Sequence, residues 1–532
     1  MTRIAGALAL SLLLLACSKS PEPVASPAKP AAAPAAAAPT AVSWVKPEGA
    51  NIAAVFTQAK AANKPVFLYW GAVWCPPCNQ IKATVFTRAD FIARSQSFVP
   101  VYLDGDTAGA QKLGAQFKVR GYPTMILFRP DGGEITRLPG EVDAARYMEL
   151  LNLGLASTGS VKESLAAALA GAAITPDAWR MLSYYAWDQD EAQLVAASER
   201  AATLGKLAQA CPTEQSASAS RLALWSIVAL AQDKTAQPNA RAGRERVLQI
   251  LNDAAQARVN FDLLVNDGAD LVQSLSSPAS AERRGLLAAM NAALDRLAAD
   301  ASLSTSDRLS AVSARVALVQ LDLPKGALPK LGLVQLAQVR AAVAEADKVT
   351  TSAYERQSVI PGAADLLSQA GLLDESDALL KAELPKAISP YYHMLVLAAN
   401  AKTRGNKAAA LDWTQKAWEQ SVGPATRLQW GGVYVSRLIE LTPQDAARIE
   451  KAVATVLGEI EPVPEYFYER NRRGLEKMGQ KLLAWNAHHR HDAALKKLSM
   501  QIDAVCAKLP PQDDARAVCF GVFKARSGAQ KV

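Results

Sequence analysis

The chain has 532 residues, half of them hydrophobic, and a formal charge of +8 at pH 7. That length exceeds one ordinary domain, so two or more cores are expected, and the apolar content excludes wholesale disorder. The charge is modest and no dense Lys/Arg block interleaves with aromatics, so nucleic-acid binding has no support. Only 6% of the residues are aromatic while alanine is abundant, which favours helices.

Arg3 supplies a positive charge ahead of the apolar run Ile4 to Leu15, which is too short to span a bilayer. The run ends Leu14-Leu15-Ala16-Cys17. This resembles the lipobox of bacterial lipoproteins, which implies cleavage of a signal peptide at 1–16 and acylation of Cys17. An ordinary signal peptide that happens to contain a cysteine is the alternative. Ser18 stands where an aspartate would imply inner-membrane retention, so the resemblance points to an outer-membrane lipoprotein facing the periplasm. Residues 17–43 are rich in Pro and Ala and form an extended tether, which at roughly 3 Å per residue reaches about 75 Å.

Residues 44–157 read as one α/β domain. Ala50 to Ala62 is an amphipathic helix with Ile52, Val55, Phe56 and Ala59 on one face. Strands are expected at Lys64 to Trp70, Phe98 to Leu103 and Thr124 to Phe128, with a helix over Asp106 to Phe117. Pro130-Asp131-Gly132-Gly133 is a hairpin turn into Glu134 to Leu138, and Val142 to Leu155 closes the domain as a helix. This order predicts a mixed sheet covered on both faces.

Residues 158–532 carry apolar positions at helical spacing broken by short turns, with hardly any strand signal. Thr175-Pro176-Asp177 and Thr442-Pro443-Gln444-Asp445 each read as a helix cap followed by proline. Gly371 and Gly405 are 34 residues apart, as are Pro390 and Pro424, and Leu379 and Trp413. That period resembles tetratricopeptide repeats, with most consensus positions missing. A degenerate helical repeat and an irregular helical bundle both fit.

The chemistry lies in Trp74-Cys75-Pro76-Pro77-Cys78, between a buried strand and a helix. A tetrahedral zinc site would need two more ligands nearby, and the next cysteine is Cys211, so no metal or other cofactor is implied. The thiolate is the form that attacks a disulfide. Cys75 is placed at a helix N-terminus, where unpaired N–H groups and the helix dipole favour a negative sulfur. Cys78, one turn along, resolves the mixed disulfide.

Trp44 to Leu155 resembles a thioredoxin-fold domain, on the strength of Trp74-Cys75-Pro76-Pro77-Cys78 and Gly121-Tyr122-Pro123-Thr124. The resemblance implies that Pro123 is a cis-proline facing the dithiol, and that Trp74, Tyr122 and Pro123 contact substrate. Lys64-Pro65-Val66, Trp74 and a long helix bearing Phe86 and Phe91 are similar to the periplasmic C-terminal domain of the bacterial transmembrane thiol-disulfide interchange protein. One departure is Tyr69, which occupies the place of the family's buried aspartate. The resolving thiol then needs water, Lys82 or Glu134 as its proton acceptor.

Cys506 and Cys519 flank Pro510-Pro511, a turn between two helices, and are expected to form a structural disulfide. Cys211 is left odd, as a buried free thiol or a regulatory partner of the dithiol. His488, His489 and His491 read as a solvated helix end. Together these features predict a multidomain protein, a thioredoxin fold followed by a large all-α repeat or bundle domain. The function expected is envelope-anchored thiol-disulfide exchange, in the reducing or isomerising direction. Its partners would be envelope protein thiols and disulfides, an electron donor, and the membrane through its lipid anchor. The rival reading is a helical scaffold or chaperone-like adaptor whose dithiol senses redox state.

Overall fold

A computed structural model describes residues 39–47, 51–190, 193–232, 240–324 and 326–524. Cys17, the leader and most of the tether lie outside the described residues.

The N-terminal part is an α/β domain built on a mixed sheet. Helix α1 (Ile52–Ala62) starts at Asn51, whose side chain accepts from the Ala54 N–H. It ends at Asn63 with φ 49°, a conformation asparagine tolerates better than most residues. Strand β1 (Val66–Gly71) is buried at every position and lies centrally, between β2 (Val99–Asp104) and β3 (Thr124–Phe128). β4 (Glu134–Leu138) completes the order β2-β1-β3-β4. β1 pairs with β2 in parallel and with β3 antiparallel, and β3 pairs antiparallel with β4.

Alternation along β1 divides the core. Val66, Leu68 and Trp70 pack with α1 and with α4 (Ala108–Gln116) on one face. Phe67 and Tyr69 point to the other, with Phe86, Phe91 and Tyr147. Tyr147 comes from α5 (Ala144–Ala156), which Asp143 caps by accepting from the Ala145 and Arg146 N–H groups. The long helix expected over Phe86 and Phe91 is instead two: α2 (Pro76–Thr84) and α3 (Ala89–Arg94). The turn between them lets both phenyl rings bend onto Phe67, at centroid distances of 6.2 and 5.8 Å.

Beyond α5 the described residues form helices and no strand. The second sheet face does not close off its own core, as separate cores would require. Its apolar cluster runs on through Leu165, Trp179 and Trp187 into the helices, and Thr40–Val532 is one compact unit. Thr175 caps the Pro176–Ser183 helix by accepting from the Ala178 N–H. The helix after Thr442 starts later than expected, at Ala446, because Asp445 takes the Arg448 N–H and so serves as the cap. Gly371 (φ 83°) and Gly405 (φ 76°) end their helices in the same way. In each case the next residue's N–H reaches back to a carbonyl five residues earlier, Leu372 to Leu367 and Asn406 to Ala401. Pro390 and Pro424 both open helices. The 34-residue spacing therefore marks equivalent turns.

Arg221 holds the first helices of this region together. It is fully buried, chelates both Asp262 carboxylate oxygens at 2.7 and 2.5 Å, and donates to the Ser183 carbonyl at 2.9 Å. Removing one member of such a pair strands the other charge out of water. Arg221→Met is expected to lower stability by about 3–5 kcal/mol, read as a fall in the urea midpoint.

Candidate functional site

The sheet register creates the site. Trp70 near the end of β1 lies opposite Thr124 at the start of β3. The loop leaving β1 and the loop entering β3 therefore meet at one end of the sheet. The first carries Trp74 and Cys75, the second Tyr122 and Pro123.

Cys75 is the N-cap of α2, and Pro76 and Pro77 follow where the helix needs no donor. The Cys78 N–H donates to Cys75 Sγ at 3.2 Å, so a thiolate formed there meets both a donor and the positive end of the helix. Cys75 and Cys78 are joined in a disulfide. The Tyr122–Pro123 bond is cis, and the Tyr122 carbonyl oxygen lies 3.6 Å from Cys75 Sγ. Two residues without a sequence signature hold this geometry. Asn79, fully buried, donates to the Val73 and Cys75 carbonyls at 2.7 and 3.0 Å and so ties the loop to the helix start. Arg137, 1% exposed, donates to the Phe117 and Lys118 carbonyls and to Glu134, bracing the segment that leads to Pro123. Gly105 permits the Tyr122 ring: a Cβ there would lie 2.2 Å from Tyr122 Cζ.

Tyr69 is buried, and its hydroxyl has no hydrogen-bond partner among the described residues. Burial, then the neighbouring Tyr102, hold its pKa far above the ordinary value, so it cannot act as a base. Glu134 is committed to Arg137 and pairs across the sheet with Phe128, at the end of β3 remote from the dithiol. Lys82 lies one turn beyond Cys78 on the same face of α2, and burial lowers its pKa.

The helical region covers the dithiol. Cys75 is 2% exposed and Trp74 7%. The Trp74 indole stacks on Tyr392 at 6.0 Å and meets Trp430 edge-on at 5.7 Å. The Arg470 guanidinium lies 4.5 Å above the Trp74 ring and 5.2 Å from that of Tyr122. Asp106 ties the two parts together: it accepts from Trp74 Nε1 at 3.2 Å and from the Thr426 hydroxyl, while its carbonyl accepts from the Ala425 N–H. Trp74 and Tyr122 thus face helical-region side chains that no motif announced.

Elsewhere, Cys506 and Cys519 form a disulfide linking the Asp492–Cys506 helix to the Asp514–Phe520 helix. Cys211 is a buried free cysteine, its thiol pushed up to about 11 by burial. His491 stacks on Trp485.

Burial raises the Asp106 carboxyl to about 6, well above its ordinary value, while the Thr426 bond opposes the shift. The folded protein therefore binds a proton there before the unfolded chain does. This group's contribution to stability rises as pH falls through about 6. The gain in urea midpoint from about pH 7 to about pH 5 is expected to be smaller in Asp106→Asn than in the parent.

Residues 52–154 match the family model described as a thioredoxin-like domain. The chain is similar to thiol:disulfide interchange protein DsbD 1 of Pseudomonas aeruginosa, 32% identical over 106 residues, covering 19% of this chain and 18% of that protein. It thus spans less than a fifth of that relative's length. A thioredoxin-like protein of Synechocystis sp. is 30% identical over 109 residues, covering 20% of this chain and 96% of that protein. A solved structure named DsbH oxidoreductase aligns with 22% of this chain and 87% of its own, at 19% identity and a TM-score of 0.20. With almost the whole of the Synechocystis protein matched at that identity, the chain belongs to the thioredoxin-like family.

Proposed function

We propose that the protein is a lipid-anchored thiol-disulfide oxidoreductase of the bacterial envelope, working in the reducing or isomerising direction on protein disulfides. The carrying observation is Cys75 at the N-cap of α2, with the Cys78 N–H on its sulfur and the Tyr122–Pro123 loop alongside. The Cys75 thiolate attacks one sulfur of a substrate disulfide, forming a mixed disulfide and releasing the other sulfur as a thiolate. Cys78 then loses its proton and attacks Cys75 Sγ. The Cys75–Cys78 disulfide forms, the second substrate thiolate leaves, and two electrons have passed to the substrate. An external dithiol donor restores the reduced pair. Lys82, one turn from Cys78 with a lowered pKa, is the side chain we assign to accept the resolving proton.

The domain plan behind this reading is a signal at 1–16, a tether at 17–43, the redox domain at 44–157 and a tetratricopeptide-like helical domain at 158–532. Cys17 is the acylation site in it, and Trp74, Tyr122 and Pro123 border the substrate. The equivalent turns at Gly371 and Gly405 support the repeat reading. The cover over Trp74 favours one rival: a helical adaptor that reads the redox state of the dithiol beneath it.

Turnover with a protein disulfide tests the proposal. Cys75→Ser should abolish exchange, and Cys78→Ser should accumulate covalent partners visible on non-reducing gels of native envelopes. A full-length protein without Cys75-dependent exchange would leave the adaptor reading. Lys82→Met should slow the resolving step several-fold while attack by Cys75 proceeds at the parent rate, measured by stopped-flow quenching.

A further inference from the structure

Access to Cys75 runs through a groove whose outer wall is the helical region. A cavity of about 450 Å³ opens onto Cys75, Trp74 and Tyr122, with Tyr392 and Arg470 across from them. At Pro76, Pro77 and Tyr392 it adjoins a second cavity of about 410 Å³. That one in turn shares Glu141 and Asn266 with a third of about 340 Å³, beside Pro139 and Gly140. The line of cavities passes directly over the loop between the two cysteines. Gly140 also packs against Pro123, where an added Cβ would come within 3.2 Å of the proline ring. The third cavity therefore belongs to the same active face.

The two ends of the groove carry opposite charge. Around the first cavity stand Arg120 and Arg470, with Arg473 paired to the carboxylate of Glu469 at 2.8 Å. Around the second stand Glu141, Asp307 and Asp365, with no cation among the described residues of its wall. The third adds Asp188 and Asp267, and its one cation, Arg221, is already chelated by Asp262. Burial, reinforced by Asp188, Asp262 and Asp267, pushes Glu141 up to about 7. Burial with Asp270, Asp188 and Asp262 does the same for Asp267. Such mutual repulsion is relieved by a cation from outside. Trp225 lines the third cavity, nine-tenths buried, and its indole N–H has no acceptor in the described protein.

We propose that this groove is a charge-polar substrate channel for an extended, cysteine-bearing polypeptide segment, with basic residues on the Glu141 side of the cysteine and acidic residues on the Arg470 side. The inference rests on the oxidoreductase reading and adds its substrate class. With Cys75 only 2% exposed at the base of the groove, a flat folded surface does not reach its sulfur. An unfolded or terminal segment does.

The test uses the pre-reduced full-length protein and short peptides, each carrying one central cysteine in a mixed disulfide with a chromogenic thiol. Their flanks are Lys on one side and Glu on the other in both orders, Lys on both, Glu on both, or uncharged. One Lys/Glu order should react at least about fivefold faster than the reverse order and than either uniform peptide, with the gap closing in high salt. The double variant Glu141→Lys/Asp267→Lys should lose that preference and gain on the all-Glu peptide relative to the uncharged one, its rate ratio between the two Lys/Glu orders falling to about one, a ratio that a general loss of activity leaves unmoved. Equal rates for all flanks, with Cys75-dependent release intact, would overturn the channel and leave the oxidoreductase standing. No Cys75-dependent release from any peptide, the uncharged one included, would overturn the oxidoreductase reading instead.

Discussion

Burial of Trp74 against the helical region is the constraint on which the rest of the molecule turns. Its indole is held by Tyr392, Trp430 and Arg470 from one side and by Asp106 at its N–H. Burying an aromatic of this size stabilises by a few kcal/mol. Trp74 also precedes Cys75 directly, so the same contact that joins the two parts sets the position of the Cys75 sulfur. Asp106 extends the link: the carboxylate that orients the indole is bonded to Thr426, and its raised pKa records how far from water that junction lies.

The electrostatics follow from this closure. A thioredoxin-like dithiol on an open surface has solvent as its second wall. Here Arg470 stands over the rings that flank Cys75, while carboxylates from both parts crowd the other side of Pro76 and Pro77. Low accessibility strengthens each of these interactions relative to water. The region with the greater share of the chain is part of the redox site.

Local signals in the chain were strong wherever chemistry is encoded by neighbours. Thr124 to Phe128 and Glu134 to Leu138 read as strands on either side of the Pro130-Asp131-Gly132-Gly133 turn, and both occur at those bounds. The cap at Thr175 was legible since proline follows it immediately. Thr442 misled for the same reason: it also precedes proline, but Asp445 offers a better acceptor to the helix that forms. Phe86 and Phe91 looked continuous with α2 until two aromatic contacts on Phe67 demanded a turn between them.

Cys75, Cys78 and Pro123 are legible in sequence because a redox pair at a helix start and a proline loop are short-range patterns with short-range causes. With apolar periodicity along the chain, they mark the place of the dithiol, the α/β core around it and the helical character of the remainder. Arg470, Tyr392, Trp430 and Thr426 lie some three hundred residues or more from Trp74 in the chain and carry no motif. Only packing the second sheet face into the helices brings them to the loop, because an apolar face that continues into another element is invisible to periodicity. Sequence determined where the dithiol lies; tertiary structure decided what it can touch.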